Sequence, residues 1–199
     1  GASSQSDPTT HAIEAWVGAG RALGPKGLQQ LERSATCLNR AVELGEHRKG
    51  EIADSAEHLS VMAEAYEELS WLYAKTGDED RAKEEFEKAL TIRTSILDRD
   101  PSGRKAREEL AALLDTGWAS DDQAKAKHLQ QAEGLLQELL KEDRNDWRLR
   151  SRMASIWLDL GAVRGELGQA QEAEDSWLRA IDAYSQLAND YPDVPSFVS

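Results

Sequence analysis

The chain has 199 residues, with 37 acidic and 24 basic side chains and a formal net charge of -13. A field of this sign repels phosphate backbones and anionic lipid headgroups, which argues against nucleic-acid binding. No stretch approaches the roughly 20 apolar residues of a membrane span, so we expect no membrane insertion. The sequence leaves the cellular compartment undetermined, with the cytoplasm as our expectation.

The first nine residues begin Gly1-Ala2-Ser3 without a methionine and are interpreted as a flexible lead-in or tag remnant. Beyond them, strong helix formers fill long segments in which apolar residues recur every three or four positions, as in amphipathic helices. Residues 191–199 are interpreted as a C-terminal tail. The spacing predicts eight helices, over about 10–23, 27–45, 50–76, 79–100, 104–118, 121–142, 146–167 and 170–190.

Glycine and proline mark the ends of these helices. Gly77 suits the left-handed position after a helix, Asp78 can cap the next helix, and Pro101 prevents that helix from continuing. The short connections favour antiparallel neighbours. We therefore predict one helical repeat domain over residues 10–190, made of four helix pairs at about 10–45, 50–100, 104–142 and 146–190.

One pattern recurs in the second helix of every pair: a small, a large and a small residue separated by four and then three positions. Ordinary amphipathicity explains one such triplet, but not four that start 48, 43 and 48 residues apart. In the third copy a lysine replaces the first small residue. The triplets are Ser34/Leu38/Ala41, Ala82/Phe86/Ala89, Lys125/Leu129/Ala132 and Ala173/Trp177/Ala180.

Together with the first helices, these triplets resemble the tetratricopeptide repeat, whose pattern is Trp-x2-Leu-Gly-x2-Tyr followed by Ala-x3-Phe-x2-Ala. The first and third pairs match mainly in spacing. The resemblance implies an all-α, right-handed superhelix of about four antiparallel helix pairs that binds proteins and has no enzymatic activity. The matching residues are Tyr66, Leu69, Tyr73, Gly77, Ala82, Phe86 and Ala89 in the second pair, and Trp157, Leu160, Gly161, Gly168, Ala173, Trp177 and Ala180 in the fourth.

The repeats are longer than the 34 residues usual for the family, by about two helical turns, and the prolines that close them are displaced to Pro101 and Pro192. Long repeats that end in a phrase such as Tyr191-Pro192-Asp193 are similar to those of planctomycete-type bacterial regulatory proteins and of regions C-terminal to serine/threonine kinases. This similarity favours a bacterial signalling context.

Packing alone can account for the large aromatic residues of the repeats. Small residues such as Ala82 and Gly161 let helices approach closely, and large ones fill the gap between neighbouring pairs. We therefore predict that Trp157 and Trp177 lie in the core.

The sequence shows no recognisable catalytic constellation. The glycine-rich run over residues 18–27 lacks the Gly-x4-Gly-Lys-Ser/Thr spacing of a phosphate-binding loop, and no strand precedes it. The four histidines show neither the His-x3-His nor the Cys-paired spacing of a metal site. Acidic clusters such as residues 84–87 are interpreted as solvated helix faces. We predict no catalytic residues, no cofactor and no metal.

In proteins of this family the first helices line a concave groove that receives peptides or partner helices. Some members grip a C-terminal carboxylate with basic side chains; here Glu67 and Trp71 stand at the matching places, so we expect that clamp to be absent. An acidic groove with an exposed Trp71 favours a basic or amphipathic segment. The alternative is that Trp71 packs against the adjacent pair. The predicted partner-binding residues are Glu64, Glu67, Trp71, Lys75, Trp118, Ser155, Leu158, Ala162 and Glu166.

These observations favour a non-enzymatic protein–protein interaction module, either a scaffold or the regulatory part of a larger protein. One alternative is a self-association module, since an exposed terminal repeat surface can stack on a copy of itself and build a homo-oligomer. The other is a helical enzyme whose site the sequence does not reveal.

Overall fold

The computed structural model describes residues 8–24, 28–47 and 55–192. Within these ranges the chain forms eight α-helices and no strand, which confirms the predicted all-α class. Most of the predicted lead-in and tail, and the first residues of the third predicted helix, lie outside the described residues. The helices are α1 (Pro8–Leu23), α2 (Leu28–Glu46), α3 (Ala56–Thr76), α4 (Glu79–Arg99), α5 (Arg104–Thr116), α6 (Asp122–Glu142), α7 (Trp147–Glu166) and α8 (Ala170–Asp190).

The helices belong to two compact units, one ending at Pro101 and one starting at Ser102. In the first unit α1 packs along α2 and α3 along α4, while α3 also contacts α1 and α2. In the second unit α5 packs along α6 and α7 along α8, while α7 also contacts α6. Each unit therefore consists of two helix pairs, the second stacked on the first. None of the described helices combines the length and apolar character needed to cross a bilayer.

Capping side chains and left-handed glycines define several helix ends. Gly77 has a φ of 81° and Asp78 caps α4 with its side chain, as the sequence predicts for this turn. Gly168 has a φ of 73° at the corresponding turn between α7 and α8. Helix α3 begins at Ala56, because Ser55 is extended and its side chain accepts a hydrogen bond from the first turn of the helix; the predicted start near residue 50 lies outside the described residues.

Helix α5 ends at Thr116, two residues before its predicted end. Gly117 interrupts the helix: its backbone is extended, with a ψ of 170°, although its N–H still donates a 2.8 Å hydrogen bond to the carbonyl of Leu113. Trp118 therefore lies half-buried in the loop before α6 rather than on a helix. Asp121 caps the helix that follows.

The repeated triplets lie mostly in the core. Leu38, Phe86 and Leu129, the large central residues of the first three triplets, are all buried. The small residues beside them are buried as well, whereas Lys125 is half-buried. The triplets thus mark the face of each second helix that packs within its unit.

The prediction that Trp177 lies in the core is wrong, and that for Trp157 holds only in part. Trp177 exposes 40 % of its surface, because one side of its ring rests on Gly161 while the rest faces outward from α8. Trp157 is half-buried, and its indole Nε1 donates a 2.9 Å hydrogen bond to the carboxylate of Glu133 on α6.

Small residues on the first helices allow close contact with the second helices. A Cβ atom on Gly20 would lie 2.7 Å from the Leu38 side chain, and one on Gly161 would lie 2.2 Å from Nε1 of Trp177. Such distances leave no room for a methyl group unless the neighbour moves. Gly20 and Gly161 therefore occupy corresponding positions, each facing the central residue of a triplet.

Candidate partner-binding surfaces

Predicted partner-binding residues on α3 are engaged in ion pairs within the first unit. Arg21 of α1 donates from Nε to Glu68 at 2.5 Å, and its Nη1 lies 3.5 Å from the carboxylate of Glu64. These bonds connect α1 to α3 along the surface that the sequence assigns to the groove. Much of the negative charge expected on this surface is thus neutralised by one guanidinium.

Glu67 forms an ion pair with a buried arginine of α4. Arg93 of α4 exposes only 3 % of its surface; its Nε donates to Glu67 at 2.7 Å and its Nη1 donates to Ser60 at 2.9 Å. A carboxylate in this position satisfies a buried guanidinium, which would otherwise carry a large desolvation cost. Glu67 therefore has a structural role that the sequence did not indicate.

Trp71 is one of the exposed aromatic residues of the first unit, with 44 % of its surface accessible. The Lys75 amino group lies 5.8 Å from the ring centroid, within range of a cation–π contact. An added Cβ on Gly24 would lie 3.6 Å from Cζ3 of the Trp71 ring, so one edge of this ring packs against the end of α1. Trp71 thus packs partly on the adjacent pair and partly faces solvent.

The remaining predicted residues lie in the second unit and are not brought together. Leu158 exposes 49 % of its surface, and Ala162 and Glu166 are exposed further along α7. Ser155 is half-buried and lines an open cleft toward the start of the same helix. Of the predicted residues in this unit, Ser155 is thus the one that lines this cleft.

The cleft lies between α5 and α7 and has a volume of about 600 Å³. This volume is within the size range of small-ligand pockets. Its wall combines carboxylates and guanidinium groups with two aromatic rings and two serine hydroxyls. The lining residues are Glu108, Asp115, Asp146, Trp147, Arg148, Leu149, Ser151, Arg152, Ser155 and Tyr184.

Two ion pairs connect α5 with α7 at the cleft. Arg104 Nη2 donates to Asp146 at 2.6 Å, next to the start of α7, where Asp146 also caps the helix. Farther along, Nε of Arg152 lies 3.6 Å from the carboxylate of Asp115. These pairs connect the two walls of the cleft.

Aromatic contacts fix the N-terminal part of α7 at the cleft. The ring centroids of Trp147 and Tyr191 lie 6.5 Å apart in a tilted arrangement, and the Arg148 guanidinium lies 4.8 Å from the Trp147 centroid. The hydroxyl of Tyr191 donates to the carbonyl of Asn145 at 2.9 Å. Trp147 is therefore a positioned aromatic side chain, which is the kind that contributes most at protein interfaces.

Burial shifts the pKa of Asp115, which lines the cleft, and of Lys125 beside it. It raises the pKa of Asp115, and the neighbouring Asp159 adds to this rise while Arg152 opposes it. Burial also lowers the pKa of Lys125, whose amino group donates to the backbone carbonyl of Asp115. Ionisable groups whose pKa is shifted by burial are enriched at functional sites, and structural ion-pair networks produce such shifts as well.

Comparison with known families assigns two segments of the chain. Residues 63–95 and residues 160–193 each match a family profile described as tetratricopeptide repeat. Both segments are tetratricopeptide repeats. They coincide with the two helix pairs in which the sequence motif is most complete, α3 with α4 and α7 with α8, and they confirm the resemblance on which the fold was predicted.

Two further comparisons add little to the repeat assignment. No curated protein gives a significant match to the chain. Among solved structures, the crystal structure of YrrB, described as a TPR protein with an unusual peptide-binding site, covers 96 % of this chain and 100 % of its own at 18 % identity and a TM-score of 0.35. A TM-score this low supports no conclusion about the chain.

The cleft uses residues that the repeat motif does not contain. Trp147 and Arg152 precede the motif positions of the last tetratricopeptide repeat, which begin at Trp157, and Asp115 comes from the preceding helix pair. The available sequence signal was the Asp146-Trp147-Arg148 helix start, in which a capping carboxylate is followed by an aromatic residue. Within the described residues, no group of three or more His, Cys, Asp or Glu side chains could hold a metal ion.

Proposed function

We propose that this protein is a non-enzymatic interaction module that binds a segment of a partner protein in the α5–α7 cleft. Tetratricopeptide repeats are protein-interaction modules, which supports the general class. The observation that carries the specific proposal is the cleft itself, an open space that has Trp147, Arg148 and Arg152 around one opening. In this role the chain acts as a scaffold or as the regulatory part of a larger protein.

The lining of the cleft favours an amphipathic segment. Trp147 and Tyr184 offer apolar ring surface, while Arg152, Ser151 and Ser155 offer donors for the backbone carbonyls of a bound peptide. The net charge of -13 attracts basic partners over longer distances. We therefore propose a segment with one apolar side and a net positive charge.

The test is a selection of displayed peptides on the wild-type chain, followed by binding measurements on two variants. Ser155→Trp places a large ring inside the cleft, whereas Thr91→Trp adds the same ring to an exposed position on α4. We expect selected peptides to bind the wild type and Thr91→Trp equally and to lose at least about tenfold in affinity for Ser155→Trp, as expected when a central contact is blocked.

Two results would contradict the proposal. If peptides bind Ser155→Trp as well as the wild type, the binding surface lies elsewhere on the chain. If a library rich in basic and amphipathic sequences yields no peptide that binds the folded chain, the proposed partner class is wrong. Circular dichroism on each variant separates either result from misfolding.

A further inference from the structure

The outward face of α8 carries exposed aliphatic residues in an uncharged strip. Leu178 exposes 57 % of its surface and Ile181 exposes 62 %. Ser185 continues the strip at the next helical step, and the exposed side of Trp177 lies next to it. In a chain with 31 % charged residues, an exposed aliphatic strip of this kind indicates an interaction surface. We call Trp177, Leu178, Ile181 and Ser185 the α8 strip; the exposed Glu174 lies on the same face one helical step before Leu178 and bounds it.

Helix α1 carries a second uncharged strip. Ala12, Trp16 and Ala19 follow each other at helical spacing, and Trp16 exposes 40 % of its surface. The charged residues Glu14 and Arg21 lie on a different side of the helix. We call the three uncharged residues the α1 strip.

Each unit shows how the outward face of a second helix is covered by the next first helix. In the first unit Met62 of α3 packs so closely on α2 that a Cβ on Gly45 would lie 1.9 Å from its sulfur, and Tyr66 donates to Glu46 at 2.8 Å. In the second unit Trp157 of α7 donates to Glu133 of α6. In both units the next first helix thus packs on the second helix before it, with its aromatic residue bonded to a glutamate eight residues after Leu38 in α2 and four residues after Leu129 in α6.

The repeat register places the two strips in this contact. Gly20 and Gly161 both face the central residue of a triplet, so Trp16, four residues before Gly20, corresponds to Trp157, four residues before Gly161. Ile181 stands four residues after the central triplet residue of α8, where Glu133 stands on α6. The α1 strip therefore corresponds to the covering face, and the α8 strip to the covered one.

We propose that the α1 strip of one copy of this chain covers the α8 strip of a second copy, so that the protein associates head to tail. Both faces of a helix packing that occurs once in each unit, α3 on α2 and α7 on α6, are present on each copy. Covering Leu178, Ile181 and Trp16 removes apolar surface from water and buries no charge from either strip. The absence of charge on both strips favours this occupant over the basic segment proposed for the cleft.

The contact is heterologous, because it joins two different surfaces. Each added copy leaves one α1 strip and one α8 strip open, so association continues into a chain of copies or closes into a ring. This inference uses neither wall of the α5–α7 cleft. Failure of peptide binding and failure of self-association are therefore separate outcomes.

The test is sedimentation velocity over a range of concentrations with three variants. Trp16→Glu places a charge in the α1 strip, Ile181→Glu places one in the α8 strip, and Thr91→Glu places one at an exposed position on α4 as the control. We expect the wild type and the control to associate as concentration rises. Each strip variant alone should associate about a hundredfold more weakly, because an unpaired carboxylate would have to be buried.

An equimolar mixture of the two strip variants gives the decisive result. Trp16→Glu keeps an intact α8 strip and Ile181→Glu keeps an intact α1 strip, so the mixture should form a 1:1 complex that grows no further. That complex also shows that both variants are folded. A wild type that stays monomeric at all concentrations would overturn the proposal, as would association that neither variant weakens. A Trp16→Glu variant that still self-associates would indicate pairing of α8 with α8 and would also overturn it.

Discussion

The guanidinium of Arg93 donates a 2.7 Å hydrogen bond to the carboxylate of Glu67, which joins α4 to α3 beneath the surface of the first unit. Arg93 is 3 % exposed, whereas the Glu67 side chain is 25 % exposed. A glutamate that the sequence assigns to partner binding thus compensates a buried charge of its own unit.

Removing this carboxylate should destabilise the first unit. We expect Glu67→Ala to lower the free energy of unfolding by about 2–4 kcal/mol, because it removes a carboxylate that compensates the buried guanidinium. Glu43→Ala is the matched control: Glu43 forms an exposed pair with Arg40, and its loss should change stability by less than about 0.5 kcal/mol. Denaturant unfolding measures both, and equal effects would show that Glu67 contributes no more than a surface pair.

The close contact between Gly161 and Trp177 makes a second prediction. A methyl group on Gly161 would collide with the indole ring, so we expect Gly161→Ala to cost about 1–2 kcal/mol despite the better helix propensity of alanine. Gly134 on α6 has no atom within 4 Å of the added Cβ, and Gly134→Ala should stabilise the protein by about 0.5–1 kcal/mol. Thermal unfolding of both variants checks the contrast. A stabilising Gly161→Ala would mean that the ring moves away at no cost.

The hydrogen bond between Tyr66 and Glu46 makes stability depend on alkaline pH. Burial and this bond raise the pKa of Tyr66 above its ordinary value of about 10. The stabilisation is complete below the unfolded-state pKa and is lost as pH rises through the native pKa, since only the unfolded chain then releases the proton. Above pH 10 the free energy of unfolding of the wild type should fall by up to about 1.4 kcal/mol per pH unit more than that of Tyr66→Phe. Parallel pH profiles of the two proteins would contradict this account.

Asp115 gives a pH dependence in the acidic range. Because burial raises its pKa, the native state favours the neutral carboxyl. The stability that the neutral carboxyl contributes is present below the unfolded-state pKa of about 3.9 and is lost as pH rises through the native-state pKa. We expect the unfolding free energy of Asp115→Asn, relative to the wild type, to increase between pH 4 and pH 7. Urea titrations at both pH values measure the difference. A decrease would show that the pair with Arg152 outweighs burial.

The repeat architecture could be read from the sequence because it depends on local rules. The triplet spacing, the left-handed Gly77 and the cap at Asp78 act within a few residues, and the structure shows each of them in place. The end of α5 and the position of Trp118 were missed because the extended Gly117 lengthens one connection without a strong local signal.

The surfaces were less predictable, because they depend on contacts between helices far apart in sequence. The partner of Glu67 lies 26 residues away, and Arg152 meets Asp115 from another helix pair. Helical periodicity selects the side of a helix on which a residue lies, but it does not show which charge from a neighbouring helix reaches that side. Ser155 was assigned by its position beside the packing stripe, and the cleft around it follows from the tertiary structure.

The most direct test of the central claim is a calorimetric titration of a selected peptide into two tryptophan variants. Trp147→Ala removes the positioned ring of the α5–α7 cleft, and Trp71→Ala removes the exposed ring on α3. We expect Trp147→Ala to weaken binding about tenfold or more, as for an aromatic residue central to an interface, and Trp71→Ala to bind like the wild type. Full affinity in folded Trp147→Ala, or loss of binding in Trp71→Ala alone, would contradict the assignment of the cleft.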